Sequence, residues 1–301
     1  MDFALLLLPD FLLIAAGFVI CRHTALDRPI WDAVERLVYF LLFPVLLFTS
    51  IARSPLKVDE VAGLGVAGVA LVLGGVAAAY ALGHVKGVDA RAHASGAQTA
   101  FRFNSYVALA LSERLGGAPG VATVALLMAV CVPLCNVAAV WPLARHGGQR
   151  VGRELLRNPL IIATLAGLAA NALQLRLPDV VAGTLQRIGV AAIPLGLMAV
   201  GAGLRLGALR DAPRLAAALL TIKHVLMPAL ALVLVQFLPL TSLQQLIVVA
   251  FAALPTATSA YVLAARMGGH ASYVAGLVTL STLLATLSLP LALAVFARLS
   301  P

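Results

Sequence analysis

The sequence predicts an all-α protein that crosses a lipid bilayer about ten times, and three observations carry the prediction. Hydrophobic residues make up 62% of the chain and charged residues only 11%, with a mean hydropathy of +1.02. A soluble domain usually has about a quarter of its residues charged. The apolar residues also come in long blocks. Gly63 to Gly83 (GLGVAGVALVLGGVAAAYALG) shows none of the period-two alternation of a membrane β-strand. Its length suits a spanning helix, the structure that satisfies every backbone amide internally in lipid. Finally, the charges that remain fall in short loops between the blocks.

Taking about 20 apolar residues per span, the spans lie near residues 3–21, 34–52, 62–83, 94–114, 119–142, 159–175, 182–204, 214–237, 243–265 and 272–297. The fourth and ninth are the least hydrophobic. Thirteen basic residues, Arg22, Arg28, Arg36, Lys86, Arg91, Arg145, Arg150, Arg153, Arg157, Arg205, Arg210, Arg214 and Arg266, fall on one side. Six, Arg53, Lys57, Arg114, Arg176, Arg187 and Arg298, fall on the other. The positive-inside rule puts the larger set in the cytoplasm and both termini outside. The net charge of +9 therefore reads as membrane topology and not as nucleic-acid binding. Cys21, Cys131 and Cys135 lie in or beside apolar spans, where cysteine acts as a small apolar side chain. The first block lacks a basic n-region, so it reads as a span and not as a cleaved signal.

A repeat is written in the prolines and glycines. Pro9 and Gly17 match Pro159 and Gly167, and Pro44 matches Pro194, all three pairs 150 residues apart. Residues 1–143 and 159–301 then form two five-span halves joined by a basic cytoplasmic linker, 144–158. An odd number of spans per half inverts the second half. Inverted repeats with interrupted helices are the architecture of secondary transporters, with substrate sites near the midplane.

Polar residues inside spans mark the candidate site. Arg102 and Asn104 sit in the middle of span 4 (SGAQTAFRFNSYVALALSERLGG) with Ser105 beside them. An intramembrane arginine costs about 2.5–3.5 kcal/mol on insertion scales and must find a partner or water. The pair reads as an anion site or gate, the other reading being a polar contact between helices. Gln98 and Thr99 extend the same lining. In span 9 (AFAALPTATSAYVLAARMGG), Pro255 removes an amide hydrogen bond, and Thr256, Thr258 and Ser259 follow with hydroxyls. Such a break survives in lipid only where it lines a cavity or packs on protein. Pro133 with Asn136 in span 5, and Ser281 and Thr282 in span 10, either line the same cavity or pack between helices. Lys223 and His224 in span 8 either snorkel toward the cytoplasm or carry a charge role. Asp10 lies at the outer interface or pairs with a basic residue, and it is the candidate for proton coupling. No metalloprotease helix or phosphate-binding loop is present, and no close carboxylate pair lies in the spans, which argues against an enzyme and against transport driven by ATP.

Seven segments resemble the auxin efflux carrier family, which includes bacterial carriers and the plant PIN-formed auxin transporters. They are LPDFLLIAAGFVICR (Leu8 to Arg22), LVYFLLFPVLLFTSIA (Leu37 to Ala52), FRFNSYVALAL (Phe101 to Leu111), RNPLIIATLAGL (Arg157 to Leu168), IPLGLMAVGAGL (Ile193 to Leu204), LPTATSAYVLAARMGG (Leu254 to Gly269) and STLLATLSLP (Ser281 to Pro290). The resemblance implies ten spans in two inverted five-helix repeats of the bile-acid-symporter type. It also implies crossing broken helices 4 and 9, and carriage of small carboxylate anions across the bacterial cytoplasmic membrane. By position, Asn104 and Pro255 to Ser259 would form the crossover. Many members carry a proline in the span 4 break, and this sequence has none between Phe101 and Leu111. No cofactor is expected beyond a coupling proton or sodium ion, sodium requiring oxygen ligands such as those of Gln98, Thr99, Asn104 and Thr258. The expected partners are a small organic anion and the bilayer, and a homodimer is one assembly such a chain can form. A channel or a membrane sensor is the rival class.

Overall fold

Every element seen in this structure is helical. The computed structural model describes residues 3–53, 58–144, 159–175, 177–205 and 209–299, and it has no strand among them. The central linker from Arg145 to Asn158, with Lys57 and Arg176, lies outside the described residues. In chain order the helices are α1 (Phe3–His23), α2 (Arg28–Ala52), α3 (Val58–Ala81), α4 (90–101), α5 (105–116) and α6 (118–144). They continue with α7 (Pro159–Ala172), α8 (Asp179–Gly203), α9 (Pro213–Phe237), α10 (Ser242–Ala252), α11 (Ser259–Arg266) and α12 (Ala271–Leu299).

Six helical stretches are long and apolar enough to cross a membrane: Arg28–Ala52, Ala62–His84, Ala90–Leu143, Asp179–Gly203, Pro213–Phe237 and Ala271–Leu299. The third is 54 residues, which as one straight helix would run about 80 Å. The hydrocarbon core is about 30 Å thick. Two interruptions resolve the conflict. Residues 102–104 are extended, and Gly117 adopts φ 55° and ψ −144°. Beyond Gly117 the chain doubles back. A Cβ at Gly120 would stand 2.1 Å from the Ser112 carbonyl oxygen, although eight residues of continuous helix would hold the two about 12 Å apart.

Prolines shape two other helices. Within α2 the turn Val38–Leu42 is π-helical, and within α9 so is Ile222–Leu226. Each runs into a proline two residues on, Pro44 and Pro228. Proline lacks an N–H and crowds the carbonyl four residues earlier, that of Phe40 or His224. A widened turn with i→i+5 bonding absorbs that clash, and Phe43 N–H and Met227 N–H duly donate to Val38 and Ile222 carbonyls.

The helices pack as two groups. In one, α1 lies on α8, and α2 lies on α7 and α8. In the other, α3 packs on α6 and α9, α10 packs on α5–α6 and α9, and α12 packs on α9, α10 and α11. Small residues let backbones approach within the first group, as expected where lipid gives no hydrophobic drive. A Cβ on Gly17 would come within 1.9 Å of the Met198 carbonyl oxygen, and one on Gly201 within 1.7 Å of that of Ile14. A Cβ on Gly167 would likewise meet the Phe48 carbonyl oxygen at 3.2 Å. The outer surface keeps large apolar side chains exposed, among them Phe40, Trp141, Leu287 and Phe237. Apolar exposure on that scale marks a surface for lipid.

Candidate functional site

The two irregular segments, 102–104 and 253–258, lie against each other. The N–H of Asn104 donates to the Pro255 carbonyl at 2.9 Å, and the Thr256 hydroxyl donates to the Thr99 carbonyl at 2.6 Å. The second segment thus supplies partners for backbone groups that the first break leaves free. Pro255 explains the second break. The first has no proline, and there Asn104 does the work: its Oδ1 accepts the N–H groups of Tyr106 at 3.0 Å and Val107 at 3.3 Å. That is an N-cap, which starts α5 afresh and leaves 102–104 extended between two helices.

Capping uses one end of the Asn104 side chain only. Its Nδ2 is buried and has no hydrogen-bond partner among the described residues. An unmet buried donor costs about 1–3 kcal/mol, so such an atom calls for an explanation. Asn104 lines a cavity of about 220 Å³ with Arg102, Ser105, Thr258, Ser259 and Asn136. The Arg102 guanidinium donates to Gln98 Oε1 at 3.3 Å and to the Ser259 hydroxyl at 3.1 Å. No carboxylate pairs with it among the described residues. The cavity is therefore lined by a cation without a carboxylate partner among the described residues, by a residue whose amide donor is unmet, and by the hydroxyl residues Ser105, Thr258 and Ser259. That donor set suits an anion with oxygen acceptors. The N-termini of α5 and α11 add their partial positive charge.

The remaining sequence candidates divide. Gln98 is buried behind the cavity, where its amide also donates to the carbonyls of Ser95 and Ala260 and holds Arg102 in place. Thr99 donates to its own helix, at Gly96. Pro255 and Thr256 shape the break without lining the cavity, and Ser281 supports it by accepting the Thr256 N–H at 3.0 Å. Thr282 bonds within α12, to Val278, and does not reach the cavity. Pro133 misses it as well, while its neighbours Val132 and Asn136 reach it. Lys223 does not snorkel: it lies on the π turn in α9 and is 2% exposed. His224 shares hydrogen bonds with Ser281 at 2.9 Å and Ser288 at 2.8 Å. Asp10 stands apart, held by Arg114 at 2.7 and 2.9 Å, so its charge is already paired.

Sequence reasoning missed the aromatic part of the wall, Tyr39, Phe103 and Tyr106, and also Cys135. Aromatic residues flanking Asn104 were a usable signal, whereas Tyr39 and Cys135 arrive from other helices. Cys135 also donates its thiol to the Phe101 carbonyl at the end of α4. A second cavity, about 350 Å³, shares Tyr106, Thr258 and Ser259 with the first. Across it Arg28, paired with Asp32 at 2.8 Å and Glu35 at 2.6 Å, faces Arg205 and Tyr261. A larger cavity of about 700 Å³ lies among α2, α7 and α8 and contains none of the break residues. Size alone would favour it, but Asn104 with its unmet amide and Arg102 without a carboxylate partner are at the smallest of the three.

The model of the membrane transport protein family matches residues 143–293, from the end of α6 into α12. The match takes in the second break, Lys223 and His224, and ends short of Arg102 and Asn104 on the N-terminal side. No curated protein matches the chain. The matched region is just over half of the sequence, and the chain belongs to the membrane transport protein family, a family of integral membrane transporters, to which the auxin efflux carriers belong, and not of enzymes.

Proposed function

We propose that the protein is a secondary transporter that carries small organic carboxylate anions across the bacterial cytoplasmic membrane by alternating access. The observation that carries this reading is the buried, unpartnered amide of Asn104 beside the uncompensated guanidinium of Arg102. Bound carboxylate oxygens would accept from both. The cavity's volume, about 220 Å³, is below the roughly 300–1,000 Å³ of sites for drug-sized ligands, which favours a compact anion.

Counting α4 with α5, and α10 with α11, as single interrupted passes gives ten passes in an inverted repeat. The packing supports this. Gly17 meets Met198 and Gly167 meets Phe48, and in these two contacts both partners differ by 150 residues, the same offset as the proline pairs. On this reading α1, α2, α7 and α8 are a scaffold and the other helices move against it. The cavities at the breaks draw their walls from both groups, as alternating access requires. Both termini would face outward. A sodium-coupled mechanism is less favoured, because the Gln98 and Thr99 side chains are already engaged and no carboxylate lines the cavity.

Reconstituted into proteoliposomes, the protein should take up labelled succinate or lactate. Arg102→Ala and Asn104→Ala should each lower uptake at least about tenfold, as expected for loss of a charge-assisted bond. Uptake unchanged in both folded variants would remove the site.

A further inference from the structure

Lys223 is a cation that nothing in its surroundings explains. It is among the largest fully buried side chains, at 2% exposed. Neither a hydrogen bond nor an ion pair reaches its ammonium among the described residues. The other buried or half-buried cations have a counter-charge or a cavity: Arg28 pairs through Nη2 with Asp32 and Glu35, although its Nε and Nη1 have no partner among the described residues, Arg114 has Asp10, and Arg102 opens onto the cavity. An ammonium taken out of water without a partner is strongly unfavourable. Its retention therefore points to a charge that the molecule uses.

Its position says what for. Lys223 lies on the π turn Ile222–Leu226, which packs on the last turn of α4 and on α12. Cys135, a wall residue of the cavity, is within electrostatic reach of both Arg102 and Lys223. The neighbouring His224 bonds Ser281, and Ser281 accepts the N–H of Thr256 at the second break. Lys223 thus lies on a turn that packs beside the first break, next in sequence to a residue of the network that shapes the second.

We propose that Lys223 is a built-in cation that supplies the positive charge a coupling ion would otherwise bring, so that the carrier binds its anion without sodium. This rests on the anion site proposed at Arg102 and Asn104. A fixed charge inside the bundle attracts an anion in the cavity through a medium of low effective dielectric, and it is worth about tenfold in affinity. Lysine carries it on a flexible stem that lets the charge follow the moving helices.

The test is the thermal unfolding midpoint of purified protein with choline succinate or choline lactate, in sodium chloride and in choline chloride. A ligand that binds the folded state raises that midpoint. The wild type should shift equally in both salts. Lys223→Met should need about tenfold more of the same anion for the same shift, and Lys223→Arg should stay close to wild type. A wild-type shift that requires sodium would overturn the proposal, even if Lys223→Met did not fold. So would a Lys223→Met response equal to that of wild type. In either case the anion site would stand. No shift by either anion in wild type, in either salt, would remove the anion site and this inference together.

Discussion

At the scale of single residues, one side chain does two things at once. Asn104 restarts a helix with its oxygen and lines a cavity, while its buried nitrogen has no partner among the described residues. The opposite logic holds for Asp10, whose carboxylate is 10% exposed and fully engaged by Arg114. Asp10→Asn should lower apparent stability by about 1–3 kcal/mol through loss of charged hydrogen bonds, discounted because Arg114 remains a third exposed. Uptake by the folded fraction should persist. An unchanged melting midpoint together with lost uptake would return Asp10 to a coupling role. Sequence pattern revealed Arg102, Asn104, Thr258 and Ser259, because polar groups stand out in apolar spans. It did not reveal Tyr39 or Cys135, whose types are ordinary in a membrane core and which meet the site only in three dimensions. Nor did it place Lys223: a lysine in a span suggests snorkelling until the widened turn is seen.

At the scale of elements, irregularity is what the fold spends its special residues on. Pro44 and Pro228 each follow a π turn, and Pro255 ends a helix, so three departures were written in the sequence. The break at 102–104 was implied by the resemblance but marked by no proline, since it comes from a cap by Asn104 and a bond to the facing segment. Close helix approach was legible only as glycine content. Gly201→Ala puts a Cβ 1.7 Å from the Ile14 carbonyl oxygen, so α1 and α8 must part. The variant should lose on the order of 1–3 kcal/mol, as overpacked sites do. Gly183 has open space around its Cβ position. Gly183→Ala should therefore be neutral or stabilising by up to about 1 kcal/mol, since alanine is the better helix former. Thermal midpoints of the two variants check the pair. Equal destabilisation would mean that the α1–α8 contact is not tight.

At the scale of the molecule, the anion reading, the two helix groups and the meeting breaks form one account. Helical class and membrane habit were plain from composition, since a chain with 11% charge has no way to cover itself in water. The number of long apolar helices was less plain: about ten spans were expected, and six stretches among the described residues are long and apolar enough to cross, one of them holding expected spans 4 and 5 together. The central claim is that a saturable site at the two breaks is exposed alternately to each side. Counterflow tests it most directly. Proteoliposomes are loaded with unlabelled succinate or lactate and diluted into a trace of the labelled form. The account predicts a transient accumulation of label above equilibrium, saturating with internal substrate and absent in Asn104→Ala. Label that only equilibrates, without saturation and without an overshoot for either anion, would contradict a carrier and leave the channel reading in its place.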